Sequence, residues 1–274
     1  MSAKENFYVQ GLALSINLEG RVALVTGASS GIGAGMARRP AQAGASVAGC
    51  GCSAFGSVSA GAFIDSVTSA GQRTFYHQTD VEHRKDLEAL VEATVAEFVR
   101  LDILVSNAGR NLFKGASECD EVAWQRNLDL NLASHWRIAK LCRPHLEATG
   151  HGVVQIMTSN HAYATIPGCF PYNVSKTALT GLVRSLAVEW GPMVRVVGIA
   201  PGFVETSGNA PWFQSFPDPV ATRERTICRH PAGKLGTCEE IGAWCAFLAS
   251  DFAAFATGTT YVVEGGRLAK LQDT

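Results

Sequence analysis

Ser159, Tyr172 and Lys176 are a hydroxyl, a phenol and an ammonium separated by thirteen and four residues. Side chains four apart share one face of a helix, so Lys176 can stand beside Tyr172 and favour its ionised form. A phenol tuned in that way shuttles protons near neutral pH. Ser159 follows the apolar run Val153-Val154-Gln155-Ile156-Met157, which reads as a buried strand, and its hydroxyl falls at that strand's carboxyl end. One carbonyl oxygen could meet all three groups. Any exposed helix can carry a Tyr-x-x-x-Lys pair, however, so the surrounding elements decide its meaning.

The elements that could bring a redox partner to such an oxygen lie near the start of the chain. The β-branched run Arg21-Val22-Ala23-Leu24-Val25-Thr26 is followed at once by Gly27-Ala28-Ser29-Ser30-Gly31-Ile32-Gly33 and a helical stretch through about Ala43. Strand, glycine loop and helix in that order suit a dinucleotide. Glycine lets the backbone approach a pyrophosphate, and a helix start offers N–H groups and the positive dipole end. Gly27 makes the turn, Gly31 the close approach and Gly33 the tight contact of helix on strand. The spacing differs from G-x-G-x-x-G, and a tight connection alone could also use three glycines.

Further strand candidates are residues 46–50, 74–77, 102–106, 152–157, 194–200 and 259–263, with helical patterns between most of them. The clearest amphipathic helix runs from Asp86 to Phe98, with Leu87, Leu90, Val91, Val95 and Phe98 along one side. Strict alternation implies right-handed crossovers and a Rossmann-type, doubly wound parallel α/β sheet of about seven strands, helices on both faces, in a single domain. Ligands of such sheets bind at the carboxyl ends of the strands where the winding reverses. The glycine loop, Asn107, Ser159 and Pro201 all follow predicted strands.

The 274 residues are 47% hydrophobic, enough for one large core, and the net charge of −1 gives no basis for binding nucleic acid. No apolar run is long enough for a bilayer, and no apolar stretch of a signal peptide follows Met1. The eight cysteines are scattered without a C-x-x-C pair, so neither a zinc site nor a disulfide framework is expected, and a cytoplasmic setting fits. Residues 1–17 read as a flexible leader, in which 5–11 look somewhat like a scrambled protease-tag site. Residues 18–268 read as the domain and 269–274 as a tail.

Taken together, these motifs resemble the short-chain dehydrogenase/reductase superfamily over residues 18–268. Thr26-Gly27-x-x-x-Gly31-Ile32-Gly33 is similar to its cofactor loop, to which Ser29 and Ser30 belong, and Asp80-Val81 to its adenine-contacting pair. Asn107-Ala108-Gly109 resembles the element supporting the central sheet. Pro201-Gly202, with Val204 and Thr206, resembles the segment meeting the nicotinamide. Asn131, Ser159, Tyr172 and Lys176 match the catalytic tetrad. The resemblance implies hydride transfer between NAD(P) and a secondary alcohol or ketone, with Tyr172 as acid/base and Ser159 bonding the same oxygen. It further implies that Lys176 lowers the phenol's pKa and holds the nicotinamide ribose together with Tyr172, and that Asn131, on the helical stretch 121–147, holds a water leading from Lys176 to solvent. It implies a homotetramer packed through helices near 121–147 and 170–189, where Ala178, Gly181, Ser185 and Ala187 permit close approach or else face the sheet.

Several positions depart from the family pattern. The second strand ends in Cys50-Gly51-Cys52-Ser53, with neither the carboxylate of an NAD enzyme nor the cation of an NADP enzyme, since Cys52 stands where arginine is usual. With no carboxylate there to repel a 2′-phosphate, the balance favours NADP. Pro40 falls inside the first helix, at a cost of about 3 kcal/mol in a regular helix. Ser106 replaces an asparagine, Val99 a turn glycine, Val197 a buried asparagine and Cys238 a helix-starting proline.

Substrate contacts are expected from Asn160, His161 and Cys169 on one side and Phe203, Trp212 and Phe213 on the other. Polar groups there, Glu205 among them, favour a sugar, polyol or other small hydroxylated compound; the aromatics favour a hydrophobic or acyl ketone instead. No metal site is expected, because His161 has no second ligand at suitable spacing. Glu205 to His230 resists assignment and reads as a long loop, either a lid or a segment anchored by its aromatics. A dinucleotide-binding scaffold or sensor without turnover is the other class of reading, and the intact tetrad speaks against it.

Overall fold

The computed structural model describes residues 15–270, so most of the leader and tail lie outside the described residues. In chain order, β1 (Val22–Thr26), α1 (Gly31–Gln42), β2 (Ser46–Gly51), α2 (Val58–Thr68), β3 (Thr74–Gln78), α3 (Arg84–Phe98) and β4 (Ile103–Ser106) form the first half. The second half holds α4 (Glu121–Leu128), α5 (Ser134–Glu147), β5 (Gly152–Met157), α6 (Tyr172–Trp190) and β6 (Val194–Pro201). It ends with α7 (Ala210–Gln214), α8 (Pro219–Cys228), α9 (Cys238–Ala249) and β7 (Thr260–Val263).

The strands make one seven-stranded sheet in the order β3-β2-β1-β4-β5-β6-β7, every neighbouring pair parallel. The winding reverses between β1 and β4. Their carboxyl ends therefore open a crevice between the loop after Thr26 and the loop after Ser106. Central strands are buried on both faces, as continuous apolar runs require, and two apolar layers cover them. Phe63, Met36 and Ile241 belong to one layer, and Leu87, Ile138 and Leu179 to the other. Among the described residues no helix is long and apolar enough to cross a membrane.

Strand positions agree with the sequence reading to within a residue or two, but two helical segments differ. The single stretch 121–147 is interrupted by a five-residue π-helical segment, Asp129–Ala133, between α4 and α5. The expected long loop 205–230 contains α7 and α8. Its prolines read as breakers, yet Pro211 and Pro219 occupy first-turn positions, where the missing N–H has no intrahelical partner to lose. Asp218 caps α8 by accepting from the Ala221 N–H at 2.9 Å.

Pro40 sits in the last turn of α1 without ending it. The carbonyl it leaves without an N–H partner is that of Met36, and Cys245 Sγ on α9 donates to that oxygen at 3.8 Å. The packing of α9 on α1 thus partly replaces the missing bond. Val99, standing where the family has glycine, closes α3 in the left-handed region at φ 65°. It is 86% exposed and gains nothing from burial. Val99→Gly is accordingly expected to raise stability by about 1–2 kcal/mol in urea unfolding; a loss of stability would show that the valine makes a compensating contact.

Candidate active site

The crevice is tied together from β1 to β4. Thr26 Oγ1 accepts the N–H groups of Asn107 (2.9 Å) and Ala108 (3.0 Å), and Asn107 Nδ2 donates back to the Thr26 carbonyl at 2.9 Å. Gly27 turns the chain at φ 68°. A Cβ on Gly33 would come within 2.0 Å of the Gly27 carbonyl, so only glycine lets α1 start this close to the strand. At Gly31, φ is 55° and a Cβ would meet Thr206 at 3.6 Å, which brings the segment after β6 over the loop. Ser30, the N-cap residue of α1, makes no side-chain cap bond, leaving the helix start to an anion. Ile32 packs against the core, Val81 is buried, and Ser29 approaches Gly51 and Tyr76 below the loop. This cradle fits a dinucleotide pyrophosphate.

The tetrad residues come together on the far side of β4. The π segment carries Asn131, whose Oδ1 accepts the Arg110 N–H at 3.0 Å while its Nδ2 donates to the Arg110 carbonyl (3.0 Å) and Asn127 Oδ1 (2.9 Å). Asn127 Nδ2 in turn donates to Ser175 Oγ at 2.7 Å and to the Pro171 carbonyl at 3.1 Å. A ladder of amides thus joins the loop after β4 to the start of α6. A Cβ on Gly109 would lie 2.7 Å from Asn131 Oδ1 and 3.6 Å from Lys176 Nζ, so the glycine keeps the two groups adjacent. π segments recur at functional sites because the extra residue turns one side chain out of helical register.

Lys176 is 3% exposed and donates from Nζ to the Met157 carbonyl at 2.9 Å. Burial pushes its ammonium down to about 7. Tyr172, also buried, lies with its ring centroid 5.6 Å from that nitrogen, and burial pushes its phenol up to about 12; the Ser159 hydroxyl opposes this by hydrogen bonding. The expectation that Lys176 lowers the phenol is therefore corrected for the free protein. Desolvation dominates both groups, and the phenol is protonated at neutral pH. Ser159 Oγ accepts the His161 N–H at 3.2 Å at the end of β5.

Three residues escaped the sequence reading. His135 is fully buried, 2.7 Å through Nδ1 from Ser106 Oγ, and burial followed by the field of Lys176 holds it well below the ordinary histidine range. The unusual Ser106 thereby acquires a partner. Phe113 packs edge-on to Tyr172 at 5.4 Å and near His161 at 6.1 Å. Asn127 supports Asn131. Only Asn127, four residues before Asn131, carried a spacing signal.

The expected substrate residues divide. Asn160 and Cys169 are buried beside the tetrad, and the His161 ring lies edge-on to Tyr172 at 6.0 Å. Phe203, Trp212 and Phe213 instead stack on one another at 5.0–5.4 Å, forming with Phe216 a separate aromatic cluster that fastens α7 to the segment after β6. Val204 is buried there, and Gly202 leaves β6 against Glu264. A cavity of about 500 Å³ opens beside that cluster, lined by Phe203, Thr206, Asn209, Phe213 and Arg223. Cys52 follows β2 at a second recess shared with Gln78, Thr79, Asp80 and Asp86.

A glycine cradle at a topological switch point and a buried tyrosine–lysine pair define a doubly wound α/β oxidoreductase. Comparison with known proteins sharpens that class. Residues 27–267 match the family model described as enoyl-(acyl carrier protein) reductase. The chain is 35% identical over 250 residues to cis-4-hydroxycyclohexanecarboxylate dehydrogenase of Sinomonas cyclohexanicum, covering 90% of this chain and 96% of that one. A short-chain dehydrogenase/reductase from Serratia marcescens BCRC 10948 is similar in structure, with TM-score 0.83, 31% identity and coverage of 91% and 98%. So is a 7α-hydroxysteroid dehydrogenase complexed with NADH and 7-oxo glycochenodeoxycholic acid, with TM-score 0.83, 30% identity and coverage of 94% and 98%. The chain belongs to the short-chain dehydrogenase/reductase superfamily and is an oxidoreductase acting on CH–OH groups.

Burial of Lys176 sets a pH signature. Its folded pKa of about 7 lies below the ordinary 10.5, so between those values the unfolded chain binds the extra proton and stability rises with pH. Tyr172 acts outside that window, because its phenol shifts upward from 10. Lys176→Met should therefore melt above the parent below pH 7, with the gap narrowing as the pH climbs toward 10. A gap constant with pH would contradict a charged, desolvated lysine.

Proposed function

We propose that the protein transfers hydride between a nicotinamide cofactor and a secondary alcohol or ketone, with Tyr172, Ser159, Lys176 and Asn131 as its working residues. The observation that carries this reading is the meeting of the buried Tyr172–Lys176 pair with the glycine cradle at one end of the sheet. A nicotinamide held there supplies or accepts the hydride. In reduction, the protonated phenol of Tyr172 gives its proton to the carbonyl oxygen while Ser159 Oγ bonds the same oxygen and fixes it. Lys176 returns a proton to the phenolate, and the Asn131–Asn127 amide ladder holds the lysine's side of the pocket in place. A protein that only bound a dinucleotide would gain nothing from desolvating an ammonium, which opposes folding.

The adenosine end of the cleft argues two ways. β2 ends without a carboxylate, which favours NADP, but Asp80, Glu82 and Asp86 all act on the Cys52 thiol, against the single cation Arg110. That acidic field opposes a 2′-phosphate, and we read the site as using NAD in preference. The substrate is of the small hydroxylated kind: a sugar, a polyol or an alicyclic alcohol such as those acted on by the relatives named above. We further propose a homotetramer in the cytoplasm. The outer stripe Val174, Ala178, Gly181, Ser185 and Val188 of α6 is exposed or half-exposed, whereas Ala187 faces inward, and the eight cysteines are unpaired, as in a reducing compartment.

Assays with NAD and NADP against hydroxycyclohexanecarboxylates, polyols and sugars test the reading. Tyr172→Phe is expected to lower turnover by at least roughly a hundredfold while the fold and cofactor binding persist; undiminished turnover would contradict the assigned role. Cys52→Arg is expected to raise kcat/KM for NADP relative to NAD, and an unchanged ratio would remove Cys52 from the cofactor's adenosine site.

A further inference from the structure

We infer that the substrate carries a carboxylate, distant from the reacting carbon, and that the guanidinium of Arg267 receives it. This deepens the oxidoreductase reading and rests on it.

β7 pairs with β6 in the register Pro201↔Val263, so the chain leaves β7 at the same edge of the sheet as Ser159 and Pro201. Gly265 and Gly266, at φ 67° and 83°, then fold it back into a short 3₁₀ turn, Arg267–Ala269. Close contact fixes this turn from both sides. A Cβ on Gly202 would lie 2.7 Å from Glu264 Cβ, and one on Gly265 would lie 3.3 Å from the His230 ring. The Glu264 carboxylate is spent within the turn, accepting the Leu268 N–H at 2.8 Å.

Arg267 is thus held on a rigid turn, and its situation is unusual. Among the described residues, the guanidinium groups of the other half-buried arginines are partnered. Arg21, Arg38, Arg137 and Arg143 form ion pairs, Arg195 bonds three carbonyls, and Arg39 bonds Gln42. Arg267 alone is half-buried with neither an ion pair nor a side-chain hydrogen bond. Burial, then the neighbouring Arg229, pushes its guanidinium downward, against an opposing pull from the Glu264 carboxylate, which makes no hydrogen bond to it.

The turn carrying that cation lies at the sheet edge that also carries Ser159 and Pro201. The cation's field, after burial, is what lowers the His161 imidazole, and His161 lies edge-on to Tyr172. His161, bonded to Thr165 Oγ1 at 3.1 Å, thus borders the phenol and feels the charge of Arg267. A planar fork of N–H donors matches a carboxylate bidentately, and a half-desolvated site strengthens the pairing. A neutral polyol would offer the fork no charged partner.

Secondary alcohols offered both as free acid and as methyl ester test this: 4-hydroxycyclohexanecarboxylate and 3-hydroxybutyrate, assayed with NAD. The wild-type chain is expected to prefer acid over ester in kcat/KM by at least about tenfold. In Arg267→Gln the acid's KM should rise on the order of ten- to hundredfold with a smaller change in kcat, collapsing the preference. Arg267→Lys, which keeps charge but loses the fork, should recover part of it. Equal use of acid and ester, or a preference surviving Arg267→Gln, would overturn the inference. Should no compound be oxidised, the redox reading fails separately. The carboxylate is then judged by melting temperature with cyclohexanecarboxylate, which should raise that of the wild type and not that of Arg267→Gln; equal shifts would overturn it.

Discussion

The structure depends on one costly arrangement: an ammonium buried beside a buried phenol at the carboxyl edge of a parallel sheet. Water would hold both groups better than the protein interior does, and each responds by moving toward its neutral form, Lys176 down to about 7 and Tyr172 up to about 12. What keeps Lys176 in place is the Met157 carbonyl at the end of β5 and the absence of a side chain on Gly109. What keeps Tyr172 in place is the ring of Phe113, the edge of His161 and the Ser159 hydroxyl. The result is a protonated acid and a readily deprotonated base side by side, which suits proton exchange with an oxygen that alternates between carbonyl and alcohol.

The rest of the fold maintains that pair. The switch in strand order between β1 and β4 opens the crevice, and the Thr26–Asn107 bonds hold its walls at a fixed separation. The π segment reorients Asn131 so that Arg110, Asn127 and Ser175 are linked in one hydrogen-bonded ladder ending beside Lys176. Ser106, a departure from the family pattern, is paired with Nδ1 of the buried His135, which lies within the field of the lysine. A neutral, desolvated histidine there adds no charge to a pocket already holding one reluctant cation.

Much of this was legible in the sequence. Strand periodicity located the sheet, and the spacing of Gly27, Gly31 and Gly33 gave the cradle, because only close backbone contact demands glycine at such intervals. The tetrad followed from spacing and family resemblance together. What escaped notice depends on three-dimensional context. Pro211 and Pro219 are helix breakers by type but helix starters by position. Pro40 is tolerated because a cysteine from α9 reaches the freed carbonyl, a contact more than two hundred residues distant in the chain. The phenol's raised pKa could not be read from a Tyr-x-x-x-Lys spacing, since helical proximity gives the sign of the pair interaction and says nothing of how dry the pocket is. Arg267 had no motif; its meaning lies in its place on the turn after β7 and, among the described residues, in its lack of a side-chain hydrogen bond or ion pair.

Desolvation pushes the Tyr172 phenol upward in the free protein, and the proposed hydride transfer requires oxidised cofactor, with its positively charged ring, to bring the phenol's ionisation down. Ultraviolet difference titration of tyrosinate, taken as wild type minus Tyr172→Phe with and without NAD, tests it most directly. The Tyr172 signal is expected to emerge above the ordinary value of 10 in the free protein and to move clearly downward when NAD is added. A free-protein phenol that ionises near neutral pH, or one that cofactor leaves unmoved, would contradict it.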